Sequence, residues 1–95
     1  MAGVWCDVLL VRYRLNGSAQ MCSTFYPVPF SSGGLTVQRV LSIEAELKKR
    51  SWGVRGVQVL GYDLLNEMLI DEDRVETIIS RSDMESFISK SEVES

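Results

Sequence analysis

The chain has 95 residues, 45% of them apolar, and a formal charge of −3 with no histidine. That length is one domain with one modest core, and that apolar share is too high for a disordered chain. The charge is unevenly spread: Arg12, Arg14, Arg39, Lys48, Lys49, Arg50 and Arg55 outweigh the four acids among residues 1–66, whereas residues 67–95 carry nine acids against three bases. Such a division points to an interaction surface or to solvated acidic segments. The longest early apolar run, Val8–Val11, is far shorter than the roughly 20 residues of a membrane span. It also lacks the basic leader and small-residue cleavage site of a secretory signal, so a cytoplasmic protein is expected.

In chain order, the first local signal is Asn16-Gly17. Both residues tolerate positive φ, which favours a two-residue type I′ turn between strands. The flanking runs, Val4–Leu15 and Ser18–Val28, are rich in aliphatic, aromatic and β-branched residues. A hairpin turning at Asn16-Gly17 pairs Val8 with Phe25, Leu10 with Ser23, Arg12 with Met21 and Arg14 with Ala19. Strand alternation then gives two faces. One holds Val4, Cys6, Val8, Leu10, Met21 and Phe25, with Arg12 and Arg14 near the tip. The other holds Trp5, Leu9, Val11, Tyr13, Leu15, Cys22 and Tyr26. Both are largely apolar, so one should pack on a helix and the other should be covered by further chain or by a partner.

Pro27, Pro29 and Ser31-Ser32-Gly33-Gly34 end the second strand. Thr36 is the expected helix cap, with Leu35 as a staple towards Val40. Val37, Val40, Leu41, Glu44 and Leu47-Lys48 follow helical spacing, with Ile43 beside them. Lys48-Lys49-Arg50 falls in the last turn, where positive charge complements the helix dipole, and Gly53 would stop the helix. A third strand is expected from Val54 to about Leu64. Arg74–Ser80 has a β-branched density that favours another strand over a helix opened by Asp71-Glu72-Asp73. Ser82-Asp83-Met84-Glu85 reads as a capping box for a short terminal helix carrying Met84, Phe87 and Ile88. The expected fold is a small α+β domain over residues 1–90, with an antiparallel sheet, an N-terminal β-hairpin, the order β-β-α-β-(β)-α and a helix on one sheet face. Residues 91–95 should fray.

The absence of histidine removes the usual neutral-pH base, the commonest metal ligand and every Ser-His or Cys-His relay. Two cysteines are too few for a zinc site, and the hairpin sets Cys6 and Cys22 on opposite faces, where they cannot bond to each other. They read as small buried hydrophobes. Ser31–Gly34 lacks the spacing of a phosphate loop. Asp71-Glu72-Asp73 lacks the alternating oxygens and glycine of a calcium loop. Neither an enzyme nor a cofactor is expected.

What remains is a binding role. The first expectation is a non-catalytic protein-binding module, an inhibitor or adaptor that occupies a partner surface. In size and charge the chain is like small proteins of that kind from phages and other mobile elements, although no motif identifies one. A homodimer is compatible with so small a domain. The alternative is a small nucleic-acid-binding or regulatory protein, whose hairpin tip would enter a groove; an overall pI of about 4.9 argues against it. The candidate partner-binding residues are Arg12, Tyr13 and Arg14 at the tip, Lys48, Lys49 and Arg50 at the helix end, and Asp71, Glu72 and Asp73 as the densest acidic cluster.

Overall fold

The computed structural model describes residues 3–17, 19–30, 32–51 and 54–86. Gly53, Phe87, Ile88 and residues 91–95 lie outside the described residues. Three strands, β1 (Gly3–Leu15), β2 (Met21–Pro29) and β3 (Val57–Asp71), form an antiparallel sheet in the order β2-β1-β3. One helix, α1 (Val37–Arg50), connects β2 to β3, and a single 3-10 turn, Glu72–Arg74, follows β3. Residues 81–86 are helical and open a second helix, α2. The order is β-β-α-β-α, an α+β domain with a helix against the sheet.

The hairpin forms, but its register differs from a two-residue turn. Val8 faces Pro27, Leu10 faces Phe25 and Arg14 faces Met21, two residues along from the expected pairs. Asn16 and Gly17 still turn, and Gly17 has φ +91°, yet the connection extends to Gln20. Asn16 donates its backbone N–H to the Gly56 carbonyl (2.9 Å), which ties the turn to the approach of β3 and not across a tight hairpin. A shift of two residues preserves the side of every side chain, because the strand repeat is two. Cys6 and Cys22 therefore remain on opposite faces, and both thiols are free.

Both faces are covered, by different parts of the chain. On one side Leu9, Val11, Tyr26 and Val28 pack with Ile43 and Leu47 of α1 and with Ile78. On the other, Val8 packs with Ile79 and Met84, joined by Phe25 and Met68. At roughly 25 cal/mol per Å² of apolar surface, filling both sides lets a short chain bury more per strand than one face could.

α1 starts where the sequence indicates. Thr36 is in an extended conformation and its hydroxyl accepts from the Arg39 N–H (3.2 Å). Leu35 packs against the helix-side cluster. The inward stripe is narrower than the spacing suggested: Ile43 and Leu47 are buried, whereas Val37 and Leu41 are 78% and 61% exposed. The helix ends at Arg50, capped by Ser51 whose N–H donates to the Lys48 carbonyl.

Beyond α1 the expectations shift. The third strand begins at Val57 and runs to Asp71, well past Leu64. Its register against β1 slips between Val8/Leu9 and between Arg12/Tyr13, leaving Leu65 and Leu60 as bulges. Residues 74–80 are not a regular strand. Glu76 has φ +57°, and only a single bridge, Ile79 with Phe25, joins this segment to β2. That bridge is reciprocal (2.9 and 3.2 Å), and the Glu76 N–H adds a third bond to the Pro27 carbonyl (2.8 Å). The β-branched run is explained by burial on two sides: Ile78 enters the helix-side cluster and Ile79 the opposite one. The cap of α2 is Ser80, not Ser82, since the Ser80 hydroxyl accepts from the Asp83 N–H (3.3 Å).

Candidate functional site

The expected basic residues do not converge. Arg12 and Arg14 alternate with Val8 and Leu10 and so lie on the α2 side of the sheet, while α1 with Lys48, Lys49 and Arg50 lies on the other. Arg12 is held by Asp63 (3.2 Å) and Arg50 by Glu46 (3.3 Å). Tyr13 packs against the helix-side cluster, where burial, and then its neighbour Cys22, push its hydroxyl pKa up. Asp71 ends β3, and Glu72 and Asp73 form the 3-10 turn behind it. Among the described residues no three His, Cys, Asp or Glu side chains gather as a metal site. No helix among them is long and apolar enough to cross a membrane.

Two places remain. The first is a groove of about 520 Å³ at the start of α1, lined by Tyr26, Ser32, Thr36, Arg39 and Glu76. A helix N-terminus, two glycines with positive φ and an arginine would suit an anion. The arginine is already committed, however. Its Nε donates to Glu76 (2.7 Å) and its Nη1 to the carbonyls of Gly34 (2.7 Å) and Ser32 (3.2 Å). Glu76 also puts a carboxylate into the groove. The geometry is that of a clasp holding the 76–79 segment against α1 and the β2 edge.

The second place arises from a mismatch in length. A 15-residue strand at about 3.3 Å per residue is roughly twice as long as a 14-residue helix at about 1.5 Å per residue. α1 therefore cannot cover the whole of β3. It lies over the early part of the strand, where the Glu44 carboxylate accepts from the Val59 N–H (3.0 Å) and Gly34 sits against the Tyr62 hydroxyl. Beyond that point α1 does not cover the helix side of β3, although Val28 on β2 stays buried there.

The register gives the occupants of this bare end. Trp5 and Asp7 alternate with Leu9, so they face the α1 side, and their partners on β3 share that face. Those partners are Leu69 opposite Trp5, Glu67 opposite Asp7 and Leu64 opposite Leu9, with Asp71 opposite Gly3. Phe30 lies beside them, its N–H donating to the Trp5 carbonyl (3.0 Å). Trp5, Leu69, Leu64 and Phe30 are 59%, 58%, 63% and 53% exposed. Leu69 reaches over Gly3, where a Cβ would stand only 2.8 Å from its side chain. Asp7 and Glu67 are like charges set directly opposite, an arrangement that costs stability in a sheet. Among the described residues neither their side chains nor that of Asp71 make an ion pair or hydrogen bond.

This surface was only partly legible in sequence. Asp71 was a candidate, but as part of an acidic cluster and not as one of three carboxylates among apolar side chains. Trp5 stands on an apolar hairpin face in the sequence, whereas Glu67 and Leu69 carry no such signal, because the third strand is expected to end before them. The two thiols add nothing to the surface: Cys6 is buried, its pKa raised by desolvation and then by Asp7 and Glu76.

The comparisons give no function. No curated protein and no solved structure matches the chain. One family model, described as Domain of unknown function (DUF7425), matches residues 1–95, and the chain belongs to that family.

Proposed function

We propose that the chain is a non-catalytic protein-binding module, an inhibitor or adaptor working in the cytoplasm, that occupies a partner's surface with the bare end of its sheet. The observation that carries this reading is the joint exposure of Trp5, Leu64 and Leu69 around Asp7 and Glu67. Exposed apolar side chains grouped in one place and rimmed by polar groups mark interaction sites on soluble proteins. Aromatic anchors such as Trp5 and Phe30 are the side chains that dominate interface energetics. The uncompensated Asp7–Glu67 pair supports the reading further, since its cost is offset once a complementary charge arrives.

The test is affinity capture from native lysate at low salt with the wild-type chain, Leu69→Asp, and Arg12→Ala with Arg14→Ala. A stoichiometric partner that is lost with Leu69→Asp and kept with the arginine pair is the expected result. A partner kept undiminished by Leu69→Asp, or no stoichiometric partner at all, overturns the reading.

A further inference from the structure

We propose that β3 takes up an extended basic segment of a partner protein as an added strand along Asn66–Asp71. This rests on the protein-binding reading above and adds the chemistry of the partner.

The two edges of the sheet are treated differently. The β2 edge is occupied by the chain itself between Phe25 and Pro27, through the bonds of Glu76 and Ile79. β3 is the opposite edge. Its early part is covered by α1, which supplies Glu44 to the Val59 N–H. From there to Asp71, no bond other than the pairing with β1 reaches the β3 backbone among the described residues. The bulge at Leu65 bends the strand, and the segment from Asn66 to Asp71 after it is in continuous register with β1. A free, regular edge is a template for one more strand.

The side chains on the α1 side of this segment are Glu67, Leu69 and Asp71, in strict alternation. Side chains directly opposite on an added strand lie within about 5.5 Å of them. The matching segment therefore carries Lys or Arg, then an apolar residue two positions on, then Lys or Arg two further. That spacing reads the same in either strand direction. The apolar residue completes the row of Trp5 and Leu69, and the first basic residue also neutralises Asp7 across Glu67.

A second copy of this chain fits poorly. Two-fold pairing that sets Leu69 against its own copy sets Glu67 against Asp71 twice, which places like charges directly opposite. A basic strand from a different protein removes both repulsions.

The experiment is selection of random peptides displayed on phage against the immobilised full chain, followed by titration of the enriched peptides as synthetic probes. Enriched sequences are expected to show the basic, apolar, basic pattern at alternate positions. They should bind at least tenfold more weakly to Glu67→Lys with Asp71→Lys, a variant whose fold is checked by circular dichroism. N-methylation at one alternate set of peptide amides should abolish binding, and at the other set should leave it unchanged. No enrichment, enriched sequences without the spacing, or equal effects of the two N-methyl sets each overturn the proposal. Peptides that lack the spacing but lose binding to Leu69→Asp overturn the added strand while leaving the docking face intact. No enrichment together with no captured partner overturns both.

Discussion

Replacing Arg39 with methionine keeps most of the aliphatic volume but removes the hydrogen bonds to Glu76, Gly34 and Ser32. The ion pair is the smaller part of the loss. The Glu76 side chain is 45% exposed, so solvent screens it and the pair contributes at most about 1 kcal/mol. The two carbonyls are part-buried and accept from a charged donor, at about 1.5 kcal/mol each. The combined loss is about 3–4 kcal/mol, a large share of the roughly 5–15 kcal/mol that holds a small domain together. At about 4–8 °C per kcal/mol for this size, melting should fall by about 12–30 °C. Urea unfolding followed by circular dichroism measures the free energy directly, with Glu76→Gln and the double variant completing a cycle. Glu76→Gln alone should cost about 1 kcal/mol and add little once Arg39 is gone. If Arg39→Met costs under about 0.5 kcal/mol, the usual range of a neutral surface change, the clasp is decorative. The 76–79 segment would then be held by Ile78, Ile79 and its backbone bonds to Phe25 and Pro27.

Two further outcomes follow from packing and burial. Ile79 is fully buried between Val8 and Met84, so Ile79→Ala should cost about 2–4 kcal/mol. The Phe25 amide, which donates to the Ile79 carbonyl, should then exchange with solvent faster than amides in the β1·β3 ladder; equal acceleration throughout would mean that the edge segment does not open separately. Cys6, Tyr13 and Tyr26 all have pKa values raised above their ordinary 9.0, 10.0 and 10.0, chiefly by burial. Their neutral forms are favoured by folding, so that stability is fully present below pH 9 and is lost as pH climbs through the raised values. Unfolding midpoints taken from pH 8 to 11 should fall, and Cys6→Ala should flatten the first part of the decline. A midpoint that stays level above pH 10 would refute this.

Local signals were the readable part of this sequence. Thr36 caps its helix because a short hydroxyl before an apolar periodic run has one good use, and that use depends on no distant contact. The double-sided apolar pattern of β1 and β2 left the second face to further chain or to a partner, and residues 78–84 cover much of it opposite α1. Asn16-Gly17 located the turn but not the register, because the Asn16 N–H bonds to Gly56, a partner that arrives only with β3. The full length of β3 is not visible in the sequence because the bulges at Leu60 and Leu65 break the two-residue alternation just where the strand continues. The exposed face proposed for docking is hidden in the sequence for the same reason. It exists only where β3 outruns α1, and a comparison of lengths requires both ends of both elements.

The unequal edges have a consequence for growth. Copies of a sheet protein with two open edges can add head to tail without limit, giving ribbons or fibres. Here the Ile79 bridge stops growth on the β2 side, so a strand that settles on β3 terminates the assembly at one complex. If β3 takes up a partner strand as proposed, opening the Arg39–Glu76 clasp would expose a second edge, and a one-to-one complex would become able to polymerise.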